Sequence, residues 1–388
     1  FRDGKYQKLV SFRLRLNASP SQTGGEPSRH DRSLLSRKAA QLPTRSGGAE
    51  GGFYAAHSVL ASGKWVKISI PETGVYQLTE SLARQAGFSS LNKVKIYGYG
   101  GALQPEVLTA DYLAEADDLH EVPTCTVGGR RLFHGVGPVG WNSSTALTRT
   151  RNPYSTEGCY FLTESDEAPL TQDSAAFLAS FYPTTNDYHA LYEADEFAWY
   201  HSGRNLFEKN PVPTDSYRSY ELPAHDDSGT LTVVMTYNGL GVVSIEVNDS
   251  VVGRLNVTTV LPETAKAGTT TASFKLNGTL RQRNTIRLRQ TSGEGTMRLD
   301  YLALTMPSAA PAPNLATDNF ATPQLRYGIT NQDHHADTAA DMVIIIPTSQ
   351  KLRSQAERLK QLHEQQDSLR VRIVPADELF NEFSSGTP

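Results

Sequence analysis

The chain has 388 residues, with 37 Lys and Arg against 41 Asp and Glu and a formal charge of −4. That length makes room for two or three domains, and the balanced charge lacks the concentrated Lys and Arg of a nucleic-acid footprint. No apolar run nears the roughly 20 residues that a membrane-spanning helix needs. Two cysteines, Cys125 and Cys159, are too sparse for a disulfide framework, and whether they pair stays open. Seventeen Tyr, with many Thr, Val and Gly, point to a mainly β body. Phe1 stands where an initiator Met would, and no signal peptide precedes it, so the chain reads as a processed or recombinant piece.

Residues 8–16 alternate apolar and polar, the pattern of a half-buried strand that either is left from a truncated N-terminal region (1–17) or pairs back onto a later sheet. Residues 18–52 lose all periodicity and fill with Ser, Gly, Pro, Arg and Gln, which reads as a flexible linker; its arginines also make it a possible protease target. A β-rich N-terminal domain is expected over 53–185. There, 62–70 alternates as a strand, and 73–78 is expected to fold against it as a tight hairpin arm. Thr79 is placed to cap a short helix through Leu82 and Ala86, with Gly87 as its C-terminal glycine. Strands follow at 94–100, leaving in glycines, at 130–133 and at 160–162, spaced as in a sandwich or barrel.

Residues 186–308 read as a jelly-roll-like β-sandwich, with strands expected at 230–237, 242–247, 251–257, 272–276, 285–289 and 297–304. Asn248-Asp249-Ser250 makes a hairpin turn between two of them. Residues 309–340, Pro- and Ala-rich at first, are expected to be a linker. From 341 the pattern changes. Met342-Val343-Ile344-Ile345-Ile346 is a doubly buried strand, 349–366 a helix with Leu352, Ala356, Leu359 and Leu362 on one stripe, and 371–374 a second strand. Asp377 is placed to cap a last short helix carrying Leu379, Phe380 and Phe383. Strand, helix, strand is the opening βαβ unit of a parallel sheet, and one unit cannot cover both faces of its strands.

These phrases carry a family likeness. Asp341 to Ile346 in turn, Gln355-Ala356-Glu357-Arg358-Leu359 and Asn381-Glu382-Phe383-Ser384-Ser385-Gly386 resemble the start of the catalytic domain of gingipain-type cysteine peptidases. Leu60-Ala61-Ser62-Gly63-Lys64-Trp65, Thr73-Gly74-Val75-Tyr76, Gly137-Pro138-Val139-Gly140-Trp141 and the stretch from Asn152 to Thr163 resemble the family's non-catalytic N-terminal region. Ser202-Gly203-Arg204 fits as well, although Leu206 stands where the family commonly has Trp. The likeness is to the cell-surface, sortase-like branch that serves type IX secretion in Bacteroidota. It implies a fold that is mainly β, followed by the incomplete start (341–388) of a caspase-like α/β domain. It also implies a parent enzyme that removes C-terminal sorting signals from secreted cargo and attaches the cargo to lipopolysaccharide at the outer face of the outer membrane. In that family the catalytic His and Cys lie well beyond the second strand, so this chain alone is not expected to hydrolyse peptides. The partners implied are the remainder of the catalytic domain, cargo C-terminal domains and outer-membrane attachment proteins, with no cofactor and no nucleic acid.

Candidate sites are weighed against plainer readings. His134-Gly135 with Cys159 imitates a caspase-like dyad, but no buried parallel strand precedes Cys159 and the family position is aromatic, so no catalytic residue is assigned. Asp333-His334-His335 with Asp337 and Asp341 has ligand chemistry for a divalent ion, yet reads better as a solvated linker. Asp117-Asp118 and Asp226-Asp227 lack EF-hand spacing and read as surface turns. Tyr217, Tyr220 and Tyr237 are candidates for a sugar-stacking platform, with the core as the plainer reading. Gly98-Tyr99-Gly100-Gly101 lacks the Lys of a phosphate loop. Sequons at Asn142, Asn248, Asn256 and Asn277 carry little weight in a bacterial chain. Two rival functions remain, an independent adhesive or carbohydrate-binding β-module and an inhibitory prosegment.

Overall fold

A computed structural model describes residues 55–200 and 203–388; the strand expected at 8–16 and the linker at 18–52 lie outside them. The first strands are β1 (Trp65–Ile70), β2 (Gly74–Leu78), β3 (Val94–Tyr97), β4 (Thr124–Val127) and β5 (Arg130–Gly135). Then come the short β6 (Val139–Gly140) and β7 (Thr150–Arg151), β8 (Gly158–Glu164) and β9 (Thr171–Gln172). Helices α1 (Glu80–Gln85), α2 (Ala110–Ala116) and α3 (Ser174–Ala179) punctuate them. Thr79 does cap α1, accepting from the Leu82 amide, and Gly87 follows at φ +75°.

β1 and β2 do not form the expected hairpin. β1 pairs with β8, which pairs with β3, while β2 joins β5, β4 and β9 in a second sheet. The cause is the demand of β1 for cover on both faces, since all six of its residues are buried. Val66, Ile68 and Ile70 point between the sheets, where Tyr76, Leu78, Leu82, Val94, Ile96, Phe133, Tyr160 and Leu162 complete a core. Trp65, Lys67 and Ser69 point the other way by the two-residue period of a strand.

The next eight strands are β10 (His189–Glu193), β11 (Arg218–Pro223), β12 (Gly229–Asn238), β13 (Gly241–Val247), β14 (Ser250–Val257), β15 (Gly268–Leu276), β16 (Arg283–Ser292) and β17 (Thr296–Thr305). They pair in the orders β10-β17-β12-β15 and β11-β16-β13-β14, all antiparallel, which is the jelly-roll order. All six strands expected here are present; β10 and β11 are the two missed. Asn248 and Asp249 both take positive φ (50° and 69°), as a two-residue hairpin turn demands. The buried Asn284 amide ties this end of the sandwich, bonding to Asn248, Leu222 and both backbone groups of Arg281. On the outer face, Trp141 and Ala146 cover Val234, Tyr301 and Ala303. Beside them Arg149 and Arg151 bond to Glu193, Asp195 and Asp300, all largely buried.

The linker expected over 309–340 instead contains β18 (Gln324–Ile329), which pairs antiparallel with the open edge of β1. Leu315 and Phe320 pack on Cys125, Leu132 and Phe177 on the way. The βαβ unit is present as β19 (Met342–Ile346) and β20 (Val371–Pro375), parallel, joined by α4 (Arg353–Gln366). Its cover is partial, as one βαβ unit must be. Val343 and Ile345 are 52% and 59% exposed, and on the expected stripe only Ala356 is buried, leaving Leu352, Leu359 and Leu362 open. The last helix, α5 (Ala376–Phe383), starts after Pro375 with no side-chain cap. Asp377 sits inside its first turn rather than before it, where a carboxylate still favours the helix dipole.

Candidate functional site

Most of the residues singled out in the sequence are structural. His134 lies on β5 and stacks on Phe181 at 4.2 Å, and burial pushes its imidazole down to about 4. Cys159 lies on β8, in the other sheet, with its thiol raised by burial, so no dyad forms. Cys125 and Cys159 are both free and buried. Tyr220 and Tyr237 are core residues of the sandwich, 4% and 5% exposed, and only Tyr217 reaches the surface. Asp226 holds a surface turn through Ser228 and Ser308. Asp117 and Asp118 differ from the surface turn expected of them. Asp118 accepts from the Val59 amide at 2.8 Å and the Ser58 hydroxyl at 3.2 Å, and Asp117 from the Ala55 amide.

The stretch from Asp333 to Asp341 differs most from its sequence reading. Its first residues, Asp333 to His335, are not a solvated linker but part of a packed seam between the β body and the C-terminal unit. Asp333 caps the turn at His334–Ala336 and accepts from the Ser58 amide (2.9 Å) while meeting His57 Nδ1 (2.7 Å). His335, 3% exposed, reaches Glu382 Oε1 through Nδ1 (2.5 Å) and the Asp117 carbonyl through Nε2 (3.1 Å), and its ring stacks on Phe383. Glu382, with no exposed surface, also accepts from the amides of His334 (3.0 Å) and His335 (2.7 Å) and from Gln332 Nε2 (3.2 Å). Those donors outweigh burial and hold its carboxyl below the usual range. His334 lies between Asp337 and Glu378. Asp341 pairs with Arg370 at the far edge instead of joining the histidines. Among the described residues no group of three or more His, Cys, Asp or Glu is arranged to hold a metal ion.

A second half of the seam went unnoticed in the sequence. Lys67, on the outward face of β1, is 7% exposed and donates from Nζ to the Gly386 carbonyl (2.6 Å) and to Asn381 Oδ1 (3.2 Å). Its hydrogen-bond acceptors are neutral, and burial lowers its ammonium pKa. Ser385, wholly buried, donates to the Cys159 carbonyl and accepts from the Tyr99 amide, both at 3.0 Å. Gln104 reaches the Phe383 carbonyl at 2.7 Å. Gly98 explains the glycine run after β3. Its φ is +134°, and a Cβ there would lie 2.7 Å from Ser385 Oγ and 3.0 Å from the Tyr160 ring. The turn after α5 is thus received by the β body through the Lys67 side chain of β1, the Cys159 carbonyl of β8, and the Tyr99 amide and Gln104 side chain of the 98–104 loop. A sequence signal existed for one side only, in the phrase from Asn381 to Gly386.

Residues 335–388, which begin at the seam histidine, match the family model of peptidase family C25. The C-terminal unit is gingipain-family sequence. The C25 unit therefore comprises β19, α4, β20 and α5, and the seam joins it to the β body. Dimeric latent PorU from Porphyromonas gingivalis is similar in fold. Its TM-score is 0.68 at 22% identity, covering 87% of this chain and 39% of that one. The chain thus spans about two-fifths of the length of PorU. Two carbohydrate-binding modules also align. A family 35 module from Clostridium thermocellum does so at TM-score 0.21 and 18% identity over 31% of this chain and 88% of its own. A CBM36 module in complex with calcium and xylotriose does so at TM-score 0.21 and 17% identity over 30% and 98%. A comparison with curated proteins finds no match.

Proposed function

We propose that this chain is the non-catalytic N-terminal segment of a cell-surface cysteine peptidase of the type IX sortase kind, and that its β body positions the peptidase domain. The observation that carries this reading is the seam. Buried polar side chains, Lys67, Glu382, His335 and Ser385, take partners across the junction. Such groups are costly to bury and are matched only in one arrangement, so they favour a single docked geometry over a loose tether. The parent enzyme would cleave C-terminal signals from cargo and attach the cargo to lipopolysaccharide, with catalytic groups outside these residues. Contacts to cargo or attachment proteins belong to the same reading. An independent sugar-binding module is less well supported, because two of its three candidate tyrosines are core. In a polypeptide that continues into a complete C25 domain, Lys67→Met is expected to lower cleavage of a cargo C-terminal signal without touching the reacting groups. Unchanged cleavage would refute positioning.

A further inference from the structure

The hydrogen bonds of the seam specify the protonation of its histidines. A neutral imidazole has one N–H donor and one acceptor nitrogen. At His335 both nitrogens face acceptors, the Glu382 carboxylate and the Asp117 carbonyl. Glu382 takes two backbone amides and the Gln332 amide as well, which marks it as the ionised acceptor. At His334 both nitrogens also face carboxylates, Asp337 Oδ2 at 2.9 Å and Glu378 Oε2 at 3.1 Å. Both rings therefore complete their bonds only as imidazolium. The charged surroundings agree. On the body side stand Asp117, Asp118 and the Asp333–His57 pair. From the C25 unit come Glu378 and Glu382 of α5, Arg372 of β20 paired with Asp337, and Arg353, Glu357 and Lys360 of α4 in the cleft beside His334. Burial pulls both imidazoles down, but bonds to these carboxylates outweigh it and raise both from the ordinary histidine value.

We propose that His334 and His335 are a pH-responsive latch that holds the C25 unit on the β body while protonated and lets α5 go when the rings lose their protons. The sign follows from linkage. A histidine raised in the folded state contributes stability that is complete below its unfolded value and is lost as pH rises through its folded value. The latch is thus shut below the ordinary histidine value and opens as pH rises through the raised folded value. Glu382, already held low, stays charged throughout and does not reverse the effect.

This inference rests on the positioning role proposed above, and one experiment on the full chain separates the two. Ring nitrogen shifts of selectively labelled histidines are followed by NMR from pH 5.5 to 9.5. Amide exchange of α5 is measured in parallel, relative to sandwich amides of β12 and β17 at the same pH. The expected result is that His334 and His335 show two protonated nitrogens at pH 6.5 and titrate above it. Protection of α5 should fall at least tenfold relative to the sandwich across that titration. His335→Gln, which carries no charge at any pH, should flatten this dependence; should it not fold, His334→Gln at the more exposed position should reduce it. Rings that titrate at or below 6.5 while α5 stays protected at every pH would overturn the latch and leave positioning intact. An α5 unprotected even at pH 6.5 would overturn both.

Discussion

Replacing Lys67 with Met tests whether the seam is a specific docking contact. The substitution nearly preserves volume and removes the donor for the Gly386 carbonyl and Asn381 Oδ1, both buried acceptors. Leaving a buried acceptor unmatched costs about 1–3 kcal/mol. Two are orphaned, but the variant no longer strips an ammonium of its water, and that offsets part of the loss. A net of about 1–3 kcal/mol corresponds to a 5- to 150-fold larger undocked population, at 1.4 kcal/mol per tenfold. Native-state hydrogen exchange reads this directly. Amides of α5 and of residues 384–387 should exchange faster by that factor, while β12, β13 and β17 in the jelly roll stay unchanged, because those core strands make no contact with Lys67. Cys159 offers a second probe, since Ser385 is bonded to its carbonyl; its alkylation should speed up in the variant. Unaltered exchange in α5, or an equal loss of protection in the sandwich, would refute the idea that Lys67 acts at the junction.

Gly98→Ala should weaken the same junction by about 1–3 kcal/mol, through a strained φ of +134° and a clash with Ser385, and thermal unfolding of the C25 unit would show it. Asn284→Ala should cost about 3 kcal/mol or more in urea unfolding, because it orphans Leu222, Asn248 and Arg281 groups in the sandwich without altering α5 exchange. Both thiols should resist Ellman's reagent in the native state and react after denaturation; a count of zero in denaturant would mean a disulfide. Asp300 is pushed up to about 6, chiefly by burial, against the pull of Arg149. A carboxyl raised in the folded state gives stability at low pH that is lost as pH climbs through the folded value. Wild type should therefore lose stability relative to Asp300→Asn between about pH 4 and 6, and a difference constant over that window would contradict the burial.

Local pattern alone determined a good part of this molecule. The alternation of β12 to β17, the turn at Asn248-Asp249, the Thr79–Gly87 helix limits and the βαβ order of the C-terminal unit all depend on neighbours two to four residues apart, which the sequence displays. The resemblance of residues 341–388 to the gingipain family was legible for the same reason, since it lies in contiguous phrases. Only tertiary structure decided that β1 and β2 part company and that β18, in an apparent linker, closes the edge of β1. It alone decided that the polar face of β1 is inside. Lys67 and Ser69 look like the solvent side of a half-buried strand. Their cover comes from residues about 260 to 320 positions away, Gly386 and Asn381 on Lys67 and Arg326 on Ser69. His335 likewise reads as part of a solvated linker until Asp117 and Glu382 are brought to it. Periodicity reports which face a residue occupies, but what lies against that face is a property of the folded chain.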